Sequence, residues 1–167
     1  SISLLEMQGL EPTGKELDFM INPGRPIPQE STKIHGINDN DVKDSPVLME
    51  ILPEVIEFID HAVIIGHHIA FDLRFLNRAL LKTAWCRLNN IVLDTMVMYL
   101  GYSSRLGHYT LDDVAKACGV EIKHRHTAAG DTKATAEIFC VLAKRLCPDG
   151  CTLKTLVHSH SGAQEDF

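Results

Sequence analysis

Apolar residues at Ile2, Leu4, Leu5 and Met7 open the chain in the manner of a strand over Ser1–Leu10. A second strand is predicted over Lys15–Ile21, after the turn signal Glu11-Pro12-Thr13-Gly14. Asn22-Pro23-Gly24-Arg25-Pro26-Ile27-Pro28 is too rich in proline for a helix or a central strand. A polar loop is expected over Lys33–Asp41. Ser45-Pro46 then reads as a helix start, with the hydroxyl as cap and proline in the first turn. Leu48, Ile51, Leu52, Val55 and Ile59 lie on one face of that helix, and Pro53 is expected to kink it.

From Ala62 the pattern changes. Ala62-Val63-Ile64-Ile65-Gly66 is a continuous apolar run, the signature of a strand covered on both faces in a parallel sheet. A helix follows from about Phe71 to Lys82, then a short buried strand at Ile91–Leu93 and a short helix near Met96–Leu100. Thr110 and Asp113 resemble a capping box for a helix carrying Leu111, Val114, Ala115 and Cys118, stopped by Gly119. The last long helix runs from about Ala129 to Leu146. Beyond it, residues 148–167 lose periodicity and read as a tail or linker. Two strands followed by strand–helix alternation imply an α/β fold, a mixed sheet flanked by helices, in one domain over residues 1–147.

Composition narrows the function. The net charge of −6 argues against gripping nucleic acid through a broad basic face, so any phosphates would be handled by bound cations. No apolar run is long enough for a bilayer, so no membrane contact is expected. Five cysteines without a secreted-domain rhythm point to a reducing, cytoplasmic setting.

Two aspartates stand out by position. Asp72 falls in the first turn of its helix, with Phe75, Leu76 and Ala79 following on the same face. Asp131 repeats the arrangement ahead of Ala134, Thr135, Ile138 and Leu142. A carboxylate aimed at a core must be neutralised, hydrogen-bonded or bound to a cation. Either one alone could simply complement the positive end of its helix. The shared placement favours a shared site at the carboxyl ends of the strands, where α/β sheets hold ligands. Histidines cluster at both places, in Gly66-His67-His68-Ile69-Ala70-Phe71-Asp72 and in His124-Arg125-His126-Thr127-Ala128-Ala129-Gly130-Asp131. His126 is positioned in sequence to take a proton from a water bound near Asp131.

These segments resemble the DEDD superfamily of 3′→5′ exonucleases, histidine branch. Gly66–Asp72 is similar to its His-Asn-x-x-Phe-Asp segment, with His68 where Asn is usual, and His126–Asp131 matches its His-x-x-x-x-Asp motif. The resemblance continues through Asn22–Pro28, Ile34-His35-Gly36-Ile37, Val92-Leu93-Asp94-Thr95 and Tyr109-Thr110-Leu111-Asp112, in order, over roughly residues 2–146. Within that superfamily the resemblance is to the epsilon proofreading subunits of bacterial DNA polymerase III and to stand-alone exonucleases like them. It implies an RNase H-like fold and hydrolysis of single-stranded DNA 3′ ends with two Mg²⁺ or Mn²⁺ ions about 3.5–4 Å apart. An epsilon-like role would add a DNA polymerase subunit as partner, and a stand-alone enzyme is the alternative. By this resemblance Asp72 and Asp131 are metal ligands, His126 is the general base, and Ile34, His35 and Phe71 border the terminal nucleotide. Asp94 and His67 would stand behind them. RNA is the alternative substrate within the family, and a non-catalytic interaction module is the alternative from another class.

The family's remaining acids form an Asp-x-Glu on its first strand, and no such tripeptide occurs here. Ser1–Leu10 resembles the second strand, so the central first strand is expected to lie upstream of Ser1, and the 167 residues alone are expected to be inactive. Cys147, Cys151, His158 and His160 are zinc-ligand types in a spacing that fits no common template, and an unstructured tail is the better reading. Arg74 and Arg78 read as a solvated helix face, and Cys118 and Cys140 as core.

Overall fold

The computed structural model describes residues 1–104, 106–150 and 152–165. The chain opens with a hairpin, β1 (Ile2–Gln8) and β2 (Glu11–Phe19), paired antiparallel with an irregularity between Leu5 and Met7. Two short helices follow where a polar loop is expected: α1 (Gln29–His35) and α2 (Asp39–Val42). Both are organised by local caps rather than by apolar periodicity. Asn38 accepts the Asn40 N–H and Asp41 accepts the Asn38 N–H, while Gly36 closes α1 at φ 76°.

Helix α3 (Leu48–Ile59) starts later than Ser45-Pro46 suggests. Its cap is Val47, whose N–H is accepted by Glu50, and the helix continues through Pro53. Strand β3 (Ile64–Gly66) leads into α4 (Ala70–Thr83), and β4 (Val92–Asp94) leads into α5 (Thr95–Ser103). β3 and β4 pair in parallel, with Gly66 opposite Asp94. Helix α6 (Leu111–Cys118) carries the expected capping box, in which Asp113 accepts from the Thr110 N–H and hydroxyl. Helix α7 (Ala128–Leu146) buries Ala134, Thr135, Ile138 and Leu142 along one stripe.

The tail departs from expectation. Residues Leu153–Glu165 form helix α8, which packs on α5, α7 and β4. Leu156 and His160, four apart on one helix face, are buried there among the described side chains, a stripe that the polar neighbours hide in the sequence. Cys147 joins the core as well, and Cys151 lies outside the described residues. No group of three metal-ligating side chains occurs among the described residues.

Two cores result. One packs α5, α6, α7 and α8 around Leu93, Met98, Val114, Ile138 and Leu142. The other closes α3 on α4 through Val55, Ile59, Leu76 and Leu80, with Leu4 and Leu17 of the hairpin against them. The sheet that should join them is in two pieces. Among the described residues β1 pairs with β2 and β3 with β4, and no strand lies between. Helix α7 packs on both β1 and β3 and bridges the gap.

Candidate active site

The gap is a cleft of about 640 Å³, with β1 along one wall and Ile64, Ile65 and Gly66 of β3 along the other. Asp72, Asp131, His126 and His67 all line it, together with Arg125 and His68. The sequence places Asp72 and Asp131 fifty-nine residues apart; the fold puts them on one cavity.

The turn after β3 is held from β4. The Asp94 carboxylate accepts the N–H groups of His68 (3.2 Å), Ile69 (3.1 Å) and Met96 (2.9 Å). These bonds stabilise a turn in which His68 sits at φ 53°, a left-handed conformation unfavourable to a side-chain-bearing residue. Gly66 is required by space, because a Cβ there would lie 2.4 Å from the Ile69 side chain. His67 reaches Thr95 Oγ1 at 2.9 Å through Nδ1 and the Tyr109 carbonyl at 3.1 Å through Nε2. Burial lowers its pKa, so the ring is neutral. A carbonyl accepts only, so Nε2 carries the proton, and the Thr95 hydroxyl is shared between Nδ1 and the Gly66 carbonyl at 3.2 Å. His67 is thus a strut between β3, α5 and the segment before α6. The His68 ring stacks on His108 at 4.4 Å between centroids.

Asp72 stands at the start of α4 with a face open to the cleft. Burial nevertheless raises its carboxyl pKa, since the protein removes water from its other side. The stripe expected behind it is narrower than the sequence suggests: Leu76 and Ala79 are buried, while Phe75 turns outward.

Asp131 is held on the opposite side. Its Oδ2 accepts from Arg125 Nη1 at 2.6 Å and its Oδ1 from the His126 N–H at 3.3 Å. Arg125 also grips Asp112 through Nε and Nη2 at 2.8–3.0 Å, which holds the Asp112 carboxyl below the usual carboxylate range. Thr127 caps α7, accepting the Gly130 N–H at 3.1 Å and donating to the His124 carbonyl at 2.6 Å. His126, at φ 66°, is exposed on the cleft. The other sequence candidates lie elsewhere. Phe71 and Ile34 are surface side chains, 68% and 64% exposed, and with His35 and Asp94 they are absent from the cleft lining. His35 accepts the Ile37 N–H at Nδ1 and so shapes its own loop.

Two carboxylates on one cavity are oxygen donors of the type hard divalent cations take. No third metal-ligating side chain joins them among the described residues.

The sequence profile of the RNase T exonuclease family matches residues 1–139. The chain belongs to the exonuclease family. That membership bears out the resemblance to DEDD exonucleases and the RNase H-like α/β architecture. Such exonucleases generally use divalent metals. This exonuclease-family chain is 35% identical to the DNA polymerase III subunit epsilon-like protein of Rhodobacter capsulatus, over 96% of its own length and 24% of the relative's. It is also 35% identical to the DNA polymerase III subunit epsilon of Rickettsia prowazekii, covering 84% of this chain and 64% of that protein. The chain therefore spans a quarter of the first relative and just under two thirds of the second. Its fold is similar to that of exonuclease X in complex with 5′ overhanging duplex DNA, with a TM-score of 0.68, 18% identity, and coverage of 93% of this chain and 87% of that one. No helix among the described residues is long and apolar enough to cross a membrane.

Arg125 is the site residue that sequence reasoning passes over. A lone arginine between histidines carries no motif, and its two acidic partners, Asp112 and Asp131, are distant or ambiguous until α6 and α7 are packed together.

Proposed function

We propose that residues 1–147 are the larger part of a metal-dependent 3′→5′ exonuclease domain that releases nucleotides from single-stranded DNA ends, as a proofreading subunit does. The observation that carries this reading is the single cleft lined by Asp72, Asp131 and His126. Asp72 and Asp131 would hold two Mg²⁺ or Mn²⁺ ions jointly with carboxylates that the 167 residues do not supply. When bound, such ions polarise the scissile phosphate and neutralise charge on the departing oxygen.

The chain's own residues do the rest. His126, exposed at the cleft edge, accepts the proton of the attacking water on a ring nitrogen. Asp131 is oriented by Arg125 and by the His126 amide, so the base and this carboxylate move as one unit. Phe71, exposed and adjacent to Asp72 in the chain, offers apolar surface for the terminal base. Asp94 and His67 hold the turn from which Asp72 projects. A DNA polymerase subunit is the proposed partner, on the strength of the relatives' names.

The strand edges beside the cleft support a reading in which an added strand completes the donor set. β1 and β3 each turn an unpaired edge toward it, and an unpaired buried backbone group costs about 1–3 kcal/mol. One edge carbonyl, Ser3 O, already draws a donor from α7, the Thr132 hydroxyl at 3.2 Å. A strand bearing Asp-x-Glu and inserted here would pair with both edges and bring its carboxylates beside Asp72 and Asp131. The test compares the 167-residue chain with a version carrying an apolar Asp-x-Glu strand ahead of Ser1. Release of mononucleotides from a single-stranded DNA oligonucleotide in Mg²⁺ is expected from the extended chain alone, and EDTA should abolish it. Equal cleavage by the short chain, or none by an extended chain that melts cooperatively, would place the centre elsewhere.

A further inference from the structure

We infer that His160 of α8 is a positioning residue for the turn that carries Asp72, acting through the backbone of Asp94. Helix α8 lies outside the family-matched residues 1–139, yet it covers the open side of β4. His160 is 6% exposed, and its Nε2 accepts the Asp94 N–H at 3.1 Å. β4 is paired with β3 on its other side, so the Asp94 N–H has no strand to bond to and would be a buried orphan without His160.

Asp94 is the residue through which this bond becomes consequential. It is itself buried, and its carboxylate accepts three amides, two of which, those of His68 and Ile69, form the turn into α4. The turn is strained at His68 and keeps its shape because Asp94 holds it. Asp72 follows three residues after Ile69. One chain of hydrogen bonds therefore runs from α8 to the β4 end, to the turn, and to the mouth of the cleft. Burial lowers the His160 pKa, which keeps the ring neutral and Nε2 able to accept.

The relevance to catalysis rests on the reading of Asp72 given above, but the coupling is measured without activity. Amide hydrogen exchange should be compared in the full chain, in H160L and in H160Q, whose amide oxygen can replace the ring acceptor. In H160L, exchange at His68 and Ile69 should rise about tenfold or more, while Ile138 and Leu142 in the α7 core keep their protection. H160Q should return most of the lost protection. The inference is overturned by unchanged exchange at His68 and Ile69, by a proportionate rise at Ile138 and Leu142, or by no recovery in H160Q. Should H160L not fold, the unsubstituted chain decides: a through-hydrogen-bond coupling between the Asp94 amide nitrogen and His160 Nε2 supports the link, and its absence removes it. Loss of this coupling leaves the exonuclease reading standing, and an inactive extended chain leaves the coupling standing.

Discussion

Replacing Gly130 with Ala tests whether the α7 start is shaped by helix preference or by the loop that delivers His126. Helix propensity alone favours Ala over Gly by about 1 kcal/mol, so a view limited to α7 expects G130A to stabilise. The tertiary structure reverses the sign. A Cβ on Gly130 would lie 2.3 Å from the His124 carbonyl oxygen and 2.4 Å from that of Lys123. Carbon and carbonyl oxygen rest at about 3.3 Å or more, so loop and helix must part by roughly 1 Å. Neither oxygen is the end of a flexible side chain. Separation also stretches the Thr127 cap, which bonds both Gly130 N and His124 O, at a cost of about 1 kcal/mol. With about 1–3 kcal/mol for overpacking, the net effect is a loss of about 1–3 kcal/mol. At roughly 2–4 °C per kcal/mol for a chain of this size, Tm falls by about 3–10 °C. Thermal and urea melts of the parent and G130A give the answer. A variant that melts at or above the parent temperature would refute the close approach, and with it the placement of His126 beside Asp131.

Two further outcomes are expected. In an extended, active chain, H126A should lower the chemical step by about 10²–10⁴ in single-turnover assays while Mn²⁺ binding is retained, and an undiminished rate would remove His126 as the base. The Arg125 guanidinium holds the folded Asp112 pKa below its unfolded value, so the pair's contribution is present above the ordinary Asp range, near about pH 3.9, and is lost as pH falls through the lowered value. The Tm gap between the parent and D112N should therefore be widest at neutral pH, narrow on acidification and shrink in high salt; a gap independent of pH would contradict the ion pair.

Much of the site was readable in advance because its parts are local. Asp72 and Asp131 each sit in the first turn of a helix, and His126 stands five residues before Asp131, so periodicity and spacing reveal them. The capping box at Thr110 and Asp113 and the stop at Gly119 are likewise contained within a dozen residues. Helices α1 and α2 were not readable, since they are held by caps and carry little apolar periodicity. Helix α8 was hidden for a related reason. Its buried residues among those described are one leucine and one histidine, and a histidine counts as apolar only once Asp94 supplies its partner.

The α/β class, most of the helices, and the carboxylates and histidine to watch are legible along the chain, because these follow from backbone propensity and short-range periodicity. Tertiary structure decided what those residues face. It set Asp72 and Asp131 across one cleft, aimed Arg125 at both Asp112 and Asp131, turned Phe75 outward and drew His160 under Asp94. Such relations join residues from separate elements, and their energies exist only after packing has removed water and fixed distances. A row of unpaired strand edges is of the same kind: no local pattern in β1 or β3 announces it, and it appears when the two halves of the sheet stand apart.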